Sequence, residues 1–193
     1  MDGLSEIKQY INESINTKVR LLEKEDLLED INFTAQKLIS ILKKGNKILI
    51  AGNGGSAADA QHIAAEFVSR FFYDRPGLPA IALTTDTSML TAIGNDYGFD
   101  KLFSRQVDAQ GIKGDVFIGI TTSGDSENIL RAVELAKLKG IFTVGLCGEA
   151  GKLRNIAETV ISVPSKSTPF IQESHIMIGH VICKLVEQSL FPR

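Results

Sequence analysis

The chain has 193 residues, 44% hydrophobic and 23% charged, which suits one folded domain and excludes a disordered chain. Lys and Arg (21) nearly balance Asp and Glu (23), and a net charge of -2 leaves no basic footprint for duplex nucleic acid or an anionic membrane. No Trp and 7% aromatics leave little from which to build a base-stacking platform.

The first ten residues, MDGLSEIKQY, carry Asp2 and Glu6 and no apolar h-region, so no signal peptide is expected there. No run reaches the ~18 apolar residues of a membrane span. Cys147 and Cys183 form no CxxC or metal spacing and read as reduced, buried thiols. A cytoplasmic protein is expected.

Residues from about 2 to 44 read as one helical stretch, with Ile31, Leu38, Ile39 and Leu42 at helical spacing and a stop at Gly45. This sets residues 1–45 apart as an N-terminal helical segment, expected to serve oligomerisation, from an α/β domain over 46–193. The rest alternates. Strands are predicted at 47–51, 80–83, 115–120, 141–146 and 159–163. Helices are predicted at 56–72, 88–93, 99–109, 127–139, 151–156 and 172–189, with a polar turn at Gly94-Asn95-Asp96-Tyr97-Gly98. The strands are continuous apolar runs, as buried parallel strands are. The expected fold is a three-layer, doubly wound, mostly parallel five-stranded sheet, with its site at the carboxyl ends of the strands.

Two strand-to-helix loops stand out. After the first strand comes Gly52-Asn53-Gly54-Gly55-Ser56. Its glycines admit a ligand close to the backbone, and the helix N-terminus that follows favours an anion. The formal Gly52-x-Gly54-x-x-Ala57 match to a dinucleotide fingerprint lacks its acid about 20 residues on, and no Gly-Lys-Ser/Thr makes a Walker loop. A sugar or phosphate cradle, with Asn53 as polar reader, fits better than a plain tight turn. After the third strand, Thr121-Thr122-Ser123-Gly124-Asp125-Ser126 places four hydroxyls at a helix start. A helix cap needs only one such residue, Ser126 or Asp125. The run reads as a phosphate site that relies on hydroxyls and helix dipole, since it holds no Lys or Arg.

His62 and Glu66, four apart on the second predicted helix, share a face in an alanine-rich stretch (Ala57, Ala58, Ala60, Ala64, Ala65). Such a pair can hold a metal or divide acid and base roles. Taken alone it reads better as an ordinary surface i,i+4 pair, worth about a few tenths of a kcal/mol. The closing helix carries Gln172, Glu173, His175 and His180. Gln172 and His180 are eight apart, ~12 Å along a helix and ~80° around it. For both to reach one ion, the helix start must deviate or two subunits must contribute. By itself, His180 also reads as a hydrogen-bonded histidine on an apolar face beside Ile176, Ile182 and Leu185.

In their order, Gly52-Asn53-Gly54-Gly55-Ser56-Ala57-Ala58-Asp59-Ala60-Gln61-His62, Gly94-Asn95-Asp96-Tyr97-Gly98-Phe99, Thr121 to Ser126, and Gln172-Glu173-x-His175 with His180 resemble the sugar isomerase (SIS) domain. The likeness is closest to the phosphoheptose isomerases and covers nearly the whole chain. It implies a homotetramer with sites at subunit interfaces. It also implies conversion of sedoheptulose 7-phosphate to glycero-manno-heptose 7-phosphate, for bacterial surface polysaccharide. By position it implies Glu66 and His180 as the acid/base pair. His62, Glu66, Gln172 and His180 then correspond to zinc ligands. Asn53, Gly54, Gly55, Ser56, Glu66, Asn95, Asp96, Thr121, Thr122, Ser123, Ser126 and Gln172 correspond to substrate contacts. Asp125 replaces the Asn common in the family and brings a negative charge toward the proposed phosphate. Two rivals share the fold. One is a non-catalytic branch that binds the replication initiator DnaA, which Ala82-Leu83-Thr84-Thr85-Asp86 and the Leu190-Phe191-Pro192 ending resemble, but which typically lacks the second histidine. The other is an amino-sugar phosphate isomerase or etherase, usually longer or different on the second helix.

Overall fold

A computed structural model describes residues 2–193. Its core is a five-stranded sheet of β1 (Ile48–Gly52), β2 (Ala80–Ala82), β3 (Val116–Ile120), β4 (Phe142–Cys147) and β5 (Thr159–Ser162). All pairs are parallel and the order is β2-β1-β3-β4-β5. The expected "mostly parallel" sheet is thus wholly parallel. Successive side chains of a strand point to opposite faces. Ile48 and Ile50 therefore join one core with α2 (Glu25–Lys43), α3 (Gly55–Val68) and α8 (Thr168–Leu190). Leu49 and Ala51 join the other, with α5 (Leu102–Gln110) and α6 (Glu127–Leu138). Helices on both faces keep β1 and β3 buried at every residue, which is why these strands are apolar throughout.

Chain order reverses at β1, which has β2 on one side and β3 on the other. The crevice beyond the carboxyl ends of β1 and β3 is the topological switch point, where ligands of open α/β sheets bind. The two unusual loops follow these two strands.

Several boundaries differ from the sequence expectation. The N-terminal stretch is two helices, α1 (Gly3–Leu22) and α2, broken at Lys24, whose backbone is extended (φ -96°, ψ 92°). No Gly or Pro marks the break; tertiary packing makes it. α2 buries Leu27, Ile31, Leu38, Ile39 and Leu42 in the main core, whereas α1 buries only Thr17 and Leu21. α3 ends at Val68, short of the expected Phe72, and a loop returns to β2. The expected turn at 94–98 is instead the last turn of α4 (Thr87–Tyr97), which starts on the cap Asp86 and ends at Gly98 with φ +89°. Residues 99–101 form a 3-10 turn before α5. The short α7 covers Leu153–Ile156. α8 starts four residues earlier than expected, with Pro169 in its first turn, where no amide hydrogen is needed. Both cysteines are free and buried.

Candidate active site

The glycine loop is shaped for close approach. Gly54 has φ +55°, and a Cβ on Gly52 would strike the backbone of Ser56. Ser56 is buried under the loop. Asn53 and Asn128 exchange two side-chain hydrogen bonds of 2.9 Å. This amide pair ties the end of β1 to the first turn of α6 across the switch point. A Cβ on Gly55 would lie 2.7 Å from Gln172 Nε2, so Gln172 rests directly on the start of α3.

The hydroxyl loop faces it. Thr121 Oγ1 lies 2.8 Å from Ser126 Oγ and 3.3 Å from Ser123 Oγ. Ser126 is the N-cap of α6 but makes no side-chain capping bond, so its hydroxyl belongs to the loop. The Thr122 carbonyl accepts from Gly148 N at 3.1 Å, which holds the loop to the end of β4. Asp125 serves the loop's own fold: its Oδ1 accepts from Lys152 N at 3.0 Å. Leu153 N donates to Gly124 O. Residues 149–153 therefore brace the loop from behind, and sequence reading missed this brace because nothing local signals it.

His62 and Glu66 on α3 meet His180 on α8. His62 Nε2 lies 2.9 Å from His180 Nε2 and 3.3 Å from Glu66 Oε1, and one ligand atom from each lies within 4.8 Å of the others. The His62 side chain is 51% exposed and that of Glu66 23%, so the group opens to solvent. A tetrahedral zinc ion with bonds of 2.0–2.1 Å spaces its donors about 3.3 Å apart. Two imidazoles and a carboxylate at these separations fit such an ion with a position left open. Phe71 backs the His180 ring at 5.5 Å between centroids. Asp59, one turn before His62, has a buried Oδ2 with no hydrogen-bond partner among the described residues, and burial pushes its carboxyl up to about 6.

Not every expected site residue arrives. α8 is continuous from Thr168, so its start does not deviate. Gln172 lies beside Gly55, and His180 lies beside His62, seven residues further along α3, a rise of about 10 Å. Within one chain, Gln172 does not join the triad. Asn95 and Asp96 are exposed on α4 and hydrogen-bonded to each other at 2.8 Å. His175, by contrast, is fully buried, with Nε2 3.3 Å from the Cys147 carbonyl, and burial lowers its pKa to about 4. It is a neutral donor that holds β4, and it stays out of the open group.

Comparison with known proteins agrees with this geometry. Residues 9–148 match the model of the SIS domain family. The phosphoheptose isomerase of Aneurinibacillus thermoaerophilus is 62% identical over 186 residues, covering 96% of this chain and 94% of that protein. Phosphoheptose isomerase 2 of Campylobacter jejuni is 58% identical over 188 residues, covering 97% and 94%. The solved structure of a phosphoheptose isomerase from Francisella tularensis superposes with a TM-score of 0.93 at 40% identity, covering 97% of this chain and all of that one. The initiator-binding alternative finds no support among these relatives.

Proposed function

The chain belongs to the SIS-domain family and is an isomerase, and on that premise we propose that it converts sedoheptulose 7-phosphate to D-glycero-D-manno-heptose 7-phosphate in the cytoplasm, for bacterial surface polysaccharide. The observation that carries this reading is the solvent-open His62–Glu66–His180 group, whose ligand atoms converge within 4.8 Å of one another between α3 and α8. The phosphate takes hydrogen bonds from Thr121, Ser123 and Ser126 and from the amides that open α6. Asn53, Gly54 and Gly55, with the buried Ser56 beneath them, shape the crevice for the sugar chain.

An aldose–ketose exchange moves one proton between adjacent carbons through an enediol, with no net redox change. The Glu66 carboxylate takes the proton from C1 and returns it at C2. The His180 imidazole moves the hydroxyl proton between O1 and O2. Zinc held by His62, Glu66 and His180 would act as a Lewis acid toward the developing enediolate charge.

The working unit in this reading is a homo-oligomer, a tetramer by resemblance. Two features support assembly. Leu4, Ile7, Ile11, Ile15, Val19 and Leu22 form an exposed apolar stripe along α1, a helix of about 30 Å. Gln172, held at Gly55 within its own chain, would also join a triad only across a subunit contact.

The direct test is an NMR or coupled assay with sedoheptulose 7-phosphate. Turnover lost on chelation and restored by Zn²⁺ supports substrate and metal together; turnover indifferent to chelator removes the zinc, and no turnover removes the substrate. Separately, Ile7→Asp with Ile11→Asp is expected to shift the protein to a smaller species in light scattering. An unchanged mass would show that α1 is not the assembly face.

A further inference from the structure

We infer that the buried Arg75–Glu187 pair is the positioning element that sets Glu66 against His180, an inference that rests on the catalytic reading of those two residues. Arg75 lies in the loop after α3 and Glu187 on α8, with side chains 3% and 0% exposed and Nε 3.1 Å from Oε1. Each partner reaches one half of the active pair.

Arg75 Nη2 donates to the carbonyl of Glu66 at 2.8 Å, and Nη1 to those of Phe67 at 2.6 Å and Pro76 at 3.0 Å. α3 ends at Val68, so the Glu66 and Phe67 carbonyls are among those a helix leaves without an internal partner. The planar guanidinium caps them while its Nε faces Glu187. Glu187 accepts from Phe71 N at 2.9 Å through Oε1 and from Phe72 N at 2.8 Å through Oε2. The Phe71 ring stands behind the His180 imidazole. Glu187 also lies seven residues after His180, two turns along the same face of α8.

Stability alone does not account for such a pair. Desolvating two charges costs several kcal/mol each, and apolar replacements of buried pairs are often as stable or more so. Glu187 nonetheless stays ionised. Burial pushes its pKa up, but the amides of Phe72 and Phe71 and the Arg75 guanidinium outweigh that and lower it. An apolar replacement would fill the space without reaching the Glu66 carbonyl or the Phe71 amide. The pair thus locks the last turn of α3 to α8. One residue of rotation in that turn would carry Glu66 ~100° around the helix, and a misplacement of about 1 Å at reacting groups can cost 10²-fold in rate.

The test is Arg75→Lys. An ammonium keeps the charge beside Glu187 but lacks the fork that spans Glu187 and two carbonyls. With the variant folded and assembled as wild type, kcat is expected to fall about 10–100-fold. KM is expected to stay within about twofold, because the phosphate loop on β3 and α6 is untouched. Phe71→Leu, which leaves the charge pair intact, tests the other arm and should lower kcat with the same unchanged KM; it decides the matter if Arg75→Lys does not fold. Wild-type kcat in a folded variant, or a loss that falls on KM, overturns the inference. Glu66→Gln assayed alongside separates the two readings. If Glu66→Gln is active, the catalytic assignment fails. If it is inactive while Arg75→Lys and Phe71→Leu keep full kcat, only the positioning role fails.

Discussion

Glu66→Gln is expected to lose about 10²–10⁴ in kcat, the contribution of one positioned acid/base group. A loss of 10³ corresponds to ~4 kcal/mol of transition-state stabilisation. The amide has nearly the shape of the carboxylate but cannot take a carbon-bound proton, and it is a poorer metal ligand. The fold has little reason to notice. Glu66 is partly exposed, and its side chain makes one close polar contact, to His62 at 3.3 Å. Melting temperature and assembly should therefore hold while turnover disappears, and His180→Gln should behave alike. The measurement is kcat on the heptose phosphate beside light scattering and thermal melting of the same sample. A fully active Glu66→Gln protein would sink the acid/base assignment, and a parallel collapse of melting temperature would make Glu66 a structural residue.

Gly124→Ala is the second large effect, and it reports on the phosphate loop. Gly124 has φ +74°, where a Cβ costs about 1–2 kcal/mol. That Cβ would also strike the Ala150 carbonyl oxygen and sit 2.9 Å from Gly151 Cα. Both are backbone atoms, so no rotamer relieves the contact, and the hydroxyl loop must part from its 149–153 brace. Thr121, Ser123 and Ser126 then lose their common orientation. Affinity for inorganic phosphate and for the sugar phosphate should fall at least tenfold. The melting temperature should fall by several degrees, at ~2–4 °C per kcal/mol for a chain of this size. Gly45→Ala is the control, with φ +79° and nothing within 4 Å of its Cβ. It carries the backbone strain without the collision and should leave phosphate affinity alone. If Gly124→Ala melts earlier yet binds phosphate like wild type, the hydroxyl loop is not the phosphate site.

Much of this was readable from the residues. Period and apolar runs located all five strands to within a residue or two, most plainly β1 and β3, which are covered on both faces and apolar throughout. The Gly52–Ser56 and Thr121–Ser126 loops were visible because their composition exceeds what a turn or a cap needs. His62 and Glu66 were visible as an i,i+4 pair, and His180 as a polar residue on an apolar face. The boundaries that failed are those decided by partners. Nothing at Lys24 announces a break, since α1 and α2 separate only because α2 enters the core. The segment 94–97 looked like a turn because Gly, Asn and Asp favour turns, but the cap at Asp86 and the stop at Gly98 carry the helix through it.

The chain's own pattern therefore determined the class of fold, the two cradle loops and the short-range half of the reactive group, because period, loop composition and i,i+4 spacing are local properties. Convergence is not local. His62 and His180 are 118 residues apart and meet at 2.9 Å. Arg75, which donates to the Glu66 carbonyl, and Glu187 on α8 are 112 residues apart and pair at 3.1 Å. Asp125 reads as a misplaced charge in the sequence and as a brace once Lys152 N is seen beside it. The Gln172 amide, eight residues from His180 on the continuous α8, sits at Gly55. Burial makes such long-range pairs cheap enough to keep and strict enough to matter, and no window of sequence contains both partners.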